Sequence, residues 1–173
     1  MRGAMELITD RRSEPDVQVL FAEHYLHLVR LAASLVDGQE AAEDVVQDVF
    51  AALQRNRRAD LTRPEHYLVR AVVNRSRSVL RRRRVVRSVV VPPQRTDAEP
   101  ADAEIVKRAE NDRIRTAIRR LPQRQREVVV LRYFEDLEIA EIAQLLGIKP
   151  TAVSASLHRA VSSLRGVLDG SVE

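Results

Sequence analysis

The segment from Leu137 to Arg165 constrains the fold of this chain more than any other part of it. Its apolar residues lie on one face of a helix that ends at Gly147, and Pro150 begins a second helix with apolar residues at three- and four-residue steps. Glycine just after a helix end and proline in the first turn of the next are the stop and start signals that backbone geometry favours. The pattern predicts a helix-turn-helix.

Two interpretations of this helix pair fit the pattern. Ala143 leaves room for the two helices to approach, and Val153 is placed where the second helix docks on the first. A second helix held in this way exposes its outer face, as do the helices that enter a DNA major groove. The alternative is an ordinary helical hairpin in an all-helical core. We favour DNA binding because the spacing fits at several positions.

The rest of the chain is also predicted to be helical. The 173 residues contain only five Gly and seven Pro, and good helix formers dominate. Helices are expected at 16–36, with Phe21 facing inward, and at 39–55, and a third follows a capping box that starts at Thr62. We predict an all-α fold of two small helical domains, the second containing the helix-turn-helix. The domains are expected at 14–88 and 105–168, joined by a flexible, proline-bearing linker at 89–104.

Several classes of protein are disfavoured by what the sequence lacks. The absence of Cys excludes disulfides, Cys-ligated zinc and Cys nucleophiles. We expect a cytoplasmic protein with no membrane insertion, because neither a signal peptide nor a stretch of transmembrane length is apparent. We expect no enzymatic activity, cofactor or metal, because no catalytic set or phosphate-binding loop is present. His24 and His27 have no third ligand and are interpreted as surface or packing residues.

Charge is distributed unevenly along the first half of the chain. From Glu14 to Asp48 there are eight acids and one Arg, for a net charge of −7, whereas from Arg55 to Arg87 there are twelve Arg and two acids, for a net charge of +10. Such a distribution predicts two different partners, one basic and one polyanionic.

Each charged segment has an ordinary and a functional interpretation. The second helix carries a carboxylate stripe that is either a solvated face or a docking surface for a basic partner. The arginines of the third helix are either a helix end that offsets the dipole or a nucleic-acid-binding face. Tyr67 and Asn74 interleave with these arginines, which favours a nucleic acid whose bases are stacked or held in a pocket.

Taken in order, these segments resemble a bacterial sigma factor of the extracytoplasmic-function (group IV) type, in the sigma-70 family. Ala42–Leu53 (AEDVVQDVFAAL) is similar to the region 2 helix that docks on the β′ clamp helices of RNA polymerase. His66–Arg84 is similar to the helix that handles the −10 promoter element. Leu121–Ile148 is similar to region 4, and Pro150–Arg165 corresponds to its −35 recognition helix.

The resemblance implies a promoter-specificity subunit that reads −35 as duplex and opens −10. Its partners would be RNA polymerase core, through the β′ clamp helices and the β flap, promoter DNA and an anti-sigma factor. Two other functions fit the same motifs. One is a stand-alone helix-turn-helix regulator that needs no polymerase, and the other is a sigma-like decoy that binds polymerase or a regulator without opening promoters.

The resemblance also implies site residues. The expected contacts with core polymerase are Glu43, Asp44, Gln47 and Asp48. The expected −10 contacts are Arg57, Arg58, Arg63, Tyr67, Arg70, Asn74, Arg77 and Arg81. The expected −35 contacts are Lys149, Thr151, Ser154, Ala155, His158 and Arg159.

The sequence departs from the family pattern at two places. Tyr67 stands where the family usually has Trp, which offers a larger stacking surface. Ser154 and Ser156 stand where the family has cations, so −35 contacts are expected to be weaker or different. Thr151, His158 and Arg159 then become the expected readers of the −35 element.

Overall fold

The computed structural model describes residues 16–55, 63–87 and 105–168, and these residues form helices and no strand. The helices are α1 (Val17–Leu35), α2 (Gln39–Arg55), α3 (Pro64–Arg87), α4 (Ile105–Arg120), α5 (Gln123–Tyr133), α6 (Ile139–Leu146) and α7 (Pro150–Leu168). The all-α prediction is therefore confirmed. The predicted linker and the capping residue Thr62 lie outside the described residues. No helix in the described part of the chain is long and apolar enough to cross a membrane.

Helices α1, α2 and α3 pack together as the first domain. Asp16 begins α1, where its side chain accepts a hydrogen bond of 2.9 Å from the backbone N–H of Gln18. The connection to α2 turns at Gly38, whose φ of +97° lies in the left-handed region that glycine tolerates. Aliphatic residues from all three helices fill the core, among them Leu28, Leu31, Val45, Val46, Leu68 and Val72.

Phe21 differs from its prediction as an inward-facing residue, because 40 % of it is exposed. Its ring stacks on Tyr25, with centroids 4.6 Å apart, and meets the edge of Phe50 at 5.0 Å. Phe50 is itself buried in the mainly aliphatic core, so Phe21 and Tyr25 cover its ring at the border of that core.

Helices α4 to α7 form the second domain, and α6 and α7 form the predicted helix-turn-helix. Helix α6 begins two residues later than the apolar pattern suggested, after Glu138, whose backbone N–H donates to Glu141 at 2.9 Å. Gly147 ends α6 with a φ of +66°, and the N–H of Ile148 reaches back to the carbonyl of Ala143 at 3.0 Å. Val153 and Ala160 of α7 are fully buried.

The two domains are also in direct contact, which the sequence did not predict. Helix α1 packs on both α4 and α5, and one cluster of buried apolar residues includes members of both domains. Polar contacts accompany this packing: Arg126 donates to the carbonyl of Leu35 at 3.0 Å, and His27 lies 3.0 Å from Glu135.

Candidate nucleic-acid and protein interface

The acidic face of α2 lies opposite its buried face. Asp44, Gln47 and Asp48 are exposed, whereas Val45, Val46 and Val49 point into the core. Glu43 is half-buried at the border and accepts a hydrogen bond of 2.8 Å from Gln39, one turn earlier. The helix therefore presents carboxylates to solvent while its valines hold it in the domain.

One of these carboxylates is paired within the first domain. Arg75 of α3 donates from Nε to Asp48 at 2.9 Å, and its Nη2 also contacts the same carboxylate oxygen. Both side chains are about half exposed, so water screens the pair and its contribution to stability is small. Among the described residues, Asp44 and Gln47 make no side-chain hydrogen bond. Of the three carboxylates predicted to contact polymerase, Asp44 is thus the one whose oxygens are not engaged within the described part of the chain.

An open cavity of about 340 Å³ lies between α2 and α3. It is lined by Asp48, Val49, Ala52, Arg55, Tyr67, Ala71, Asn74, Arg75 and Ser78. Its volume is at the lower end of the range for small-molecule pockets. The structure therefore brings together Tyr67 and Asn74, the two residues that the resemblance assigned to handling bases, beside arginine side chains from both helices.

The predicted −10 arginines fall into three groups. Arg63, Arg70 and Arg81 are exposed on α3 or directly before it. Arg57 and Arg58 lie outside the described residues. Arg77 differs from both groups, because it is only partly exposed and is engaged by the second domain.

Arg77 makes a bidentate ion pair with Glu127 of α5. Its Nε donates to one carboxylate oxygen at 2.8 Å and its Nη2 to the other at 2.7 Å. The Glu127 side chain is 4 % exposed, and Gln123 donates to it at 3.0 Å. The hydrogen bond that Arg77 donates to Glu127 raises the pKa of Arg77; burial acts in the opposite direction, and the negative charge of Glu127 adds to the rise. Arg77 therefore stays fully protonated.

The predicted −35 residues lie together on the outer side of the second domain. Thr151, Ser154, Ala155, His158 and Arg159 are exposed on α7, and Lys149 is exposed directly before it. Their spacing places them within about three turns, in the N-terminal half of α7, which suits insertion into a groove. The Ser154 hydroxyl donates back to the carbonyl of Pro150 at 3.2 Å.

Ser156 requires a correction. The sequence comparison treated it as a lost DNA-contacting cation, but it is only 5 % exposed and lies on the same face of α7 as Val153 and Ala160. A side chain at this position points towards the domain core. Only Ser154 therefore removes a cation from the exposed side of α7.

Sequence reasoning did not predict the contacts that four residues make with other helices: Arg75, which it named only as part of the basic face of α3, and Glu127, Arg126 and Glu135. Helical periodicity could have placed Arg75 beside Asn74 on the cavity side of α3. The other three act across the domain contact, with partners that are 50, 91 and 108 residues distant in sequence. No local pattern reports such a pairing.

Family matches cover both domains. Residues 20–85 match the family described as Sigma-70 region 2, and residues 111–164 match Sigma-70, region 4. The chain is 29 % identical over 160 residues to RNA polymerase sigma-E factor of Streptomyces coelicolor, covering 86 % of each protein. It is 30 % identical over 166 residues to RNA polymerase sigma factor CnrH of Cupriavidus metallidurans, covering 89 % of this chain and 87 % of CnrH.

Solved structures of similar proteins share the fold. The structure of CnrH in complex with the cytosolic domain of CnrY aligns with a TM-score of 0.66 at 26 % identity, covering 90 % of this chain and 89 % of that one. The sigma factor RpoE of Bartonella quintana, solved with the anti-sigma factor NepR, aligns with a TM-score of 0.67 at 20 % identity, covering 88 % and 98 %. With both region matches in order and relatives along nearly the whole length, this chain belongs to the extracytoplasmic-function group of the sigma-70 family.

Proposed function

We propose that this chain directs RNA polymerase core to a specific set of promoters. The observation that carries the proposal is the presence, in one chain and in order, of a region 2 match with an exposed acidic helix and a region 4 match with an exposed recognition helix. A free-standing DNA-binding protein has no need of the acidic helix. In this proposal Asp44 and its neighbours on α2 bind the β′ clamp helices, and the second domain binds the β flap.

Opening of the −10 element takes place at the cavity between α2 and α3. Unstacking a base costs a few kcal/mol, and binding of the exposed base and its strand offsets that cost without ATP. Tyr67 supplies a stacking surface and Asn74 an amide that hydrogen-bonds a base edge. Exposed Arg63, Arg70 and Arg81 attract the phosphates of the same strand.

Reading of the −35 element falls to α7. Its DNA-facing side carries Thr151, His158 and Arg159 but no cation at Ser154, so its own affinity for duplex is modest. Binding of both domains to one polymerase makes the second DNA contact intramolecular and strengthens the combined grip. Promoter choice therefore depends on both elements together.

Three further properties belong to the same proposal. The chain is a non-catalytic subunit, because the chemistry of RNA synthesis resides in core polymerase. It acts in the cytoplasm, where core polymerase and promoter DNA are found. An anti-sigma factor holds it inactive, as supported by the related RpoE of Bartonella quintana, which was solved with such a partner.

Run-off transcription tests the proposal against its two alternatives. Purified core polymerase is supplied with this chain and a template that carries the promoter region of its own gene. A transcript that core alone does not produce supports promoter-specific initiation. Specific duplex binding without core and without a transcript would favour a stand-alone regulator. Core binding without a transcript would favour a sigma-like decoy.

A further inference from the structure

The carboxylate of Glu127 occupies the position beside Arg77 that the proposed function assigns to a phosphate of the promoter strand. Arg77 belongs to the row of α3 arginines expected to follow the promoter strand. Its two donating nitrogens instead hold both oxygens of Glu127, at 2.8 and 2.7 Å. This fork-shaped geometry is the one that guanidinium groups also use to bind phosphate. The arginine cannot hold both partners at once.

We propose that Glu127 is an internal substitute for a promoter phosphate, and that its pair with Arg77 locks the free chain in a closed form with reduced affinity for DNA. This inference rests on the proposed function, since it takes Arg77 as a contact to the promoter strand. Glu127 is a positioning residue that competes with DNA, and it belongs to neither the −10 nor the −35 surface.

The surroundings of Glu127 suit a contact that opens and closes. Its carboxylate is also held within α5, by Gln123 at 3.0 Å and by Arg124 at 3.4 Å. These partners lie on the same helix and move with Glu127 when the domains separate. The charge of Glu127 therefore keeps hydrogen-bond partners after the domains separate. If opening left that charge without partners, the cost would make the closed form too stable to open.

The geometry of a promoter requires such an opening. Elements centred near −10 and −35 are about 25 base pairs apart, or about 85 Å at 3.4 Å per base pair. A compact chain of this length has a radius of gyration of about 16 Å, and is thus about 40 Å across. The stretch from Arg87 to Ile105 reaches at most about 60 Å when extended, which is enough to let the domains part.

The distance between the two domains, measured on the full chain, tests whether the Arg77–Glu127 pair holds them together. The sequence has no Cys, so Ala22→Cys on α1 and Ser163→Cys on α7, both at exposed positions, allow two dyes to be attached at defined sites. Glu127→Gln keeps the side-chain shape but removes its charge. We expect lower energy transfer, and thus a longer interdomain distance, in Glu127→Gln. Glu23→Gln, an exposed change of equal charge on α1, should leave the distance unchanged.

Binding of a fluorescent twelve-nucleotide dT strand, without polymerase, is the second readout. Release of Arg77 should tighten binding by Glu127→Gln about tenfold, as expected when a closed form holds most of the population. Glu23→Gln measures the small gain that any loss of negative charge produces. Equal affinities for these two variants, or an unchanged interdomain distance in Glu127→Gln, would overturn the proposal.

Arg77→Gln provides an independent test from the other domain. It should lengthen the interdomain distance as Glu127→Gln does, but without the gain in dT binding, since it removes the released arginine itself. This variant carries the distance test if Glu127→Gln fails to fold. Neither readout involves polymerase. If the Arg77–Glu127 pair does not hold the domains closed, the run-off transcription test of the proposed function is unaffected. If that transcription test fails, the interdomain distance and the dT affinity can still be measured.

Discussion

Replacing Ser154 with lysine should restore a DNA contact that this chain lacks. The position is exposed on the outer face of α7, and the hydroxyl there bonds only to the carbonyl of Pro150. One added phosphate contact steepens the dependence of log affinity on log salt by about 0.9. Between about 50 and 200 mM salt, the variant should therefore lose about 3.5-fold more affinity than the parent, starting from a tighter value at low salt.

Ser156→Arg is the matched comparison, because the family pattern has cations at both positions. Ser156 is 5 % exposed and lies beside Val153 and Ala160, so an arginine there points into the domain. We expect no change in the salt slope and a free energy of unfolding lowered by about 1–3 kcal/mol. Since phosphate contacts do not depend on sequence, any labelled duplex serves for an anisotropy titration. Equal slopes for Ser154→Lys and the parent, or a steeper slope for Ser156→Arg, would refute the assignment of faces on α7.

Four further outcomes are expected. Asp44→Arg should weaken binding to core polymerase at least about tenfold with little change in melting temperature, and undiminished binding in a native gel shift would contradict the docking face. Asn74→Ala should impair open-complex formation, followed by permanganate reactivity, more than it impairs core binding; equal losses would argue against its position at the base pocket. Gly147→Ala should lower stability by about 1 kcal/mol, and the melting temperature by about 2–4 °C, because the left-handed φ and not a clash opposes the new Cβ. The pair with Glu127 raises the pKa of Arg77, so its contribution is fully present at every pH below the ordinary arginine pKa; because Arg77 keeps its charge, the interdomain distance measured by energy transfer should be constant from about pH 7 to pH 10.

The helices were predictable from local signals. Apolar periodicity and the helix stop and start signals at Gly147 and Pro150 depend on residues only a few positions apart. At the helix-turn-helix, the helices of the structure therefore begin and end within two residues of the predicted positions. The acidic face of α2 followed from the same periodicity, because buried valines at regular steps leave the carboxylates outside. The buried position of Ser156 was available too, since it keeps the three- and four-residue spacing of Val153 and Ala160.

The contact between the domains was not predictable in this way. Arg77 and Glu127 are 50 residues apart, and a buried ion pair requires both the packing of α1 on α5 and the matching of two side-chain geometries. In the sequence, Arg77 is one arginine among twelve in a basic segment, and nothing local distinguishes the one that pairs. Its partner Glu127 lies in α5, in a segment whose family match points to DNA binding.

The carbonyl at the end of α1 depends on the other domain. Helix α1 has no basic residue in its last turn. Two arginines from other helices lie near its C-terminus: Arg126 of α5 donates to the Leu35 carbonyl, and Arg83 of α3 donates to the carbonyl of Asp37, just beyond the helix. A cation at this end of a helix contributes about 0.3–1 kcal/mol through the helix dipole. Parting of the domains therefore weakens a helix of the first domain. A basic residue acquired within the last turn of α1, for example at Ser34, would make that helix self-sufficient. Such a substitution would lower the free energy needed to separate the domains without altering any residue proposed to contact DNA.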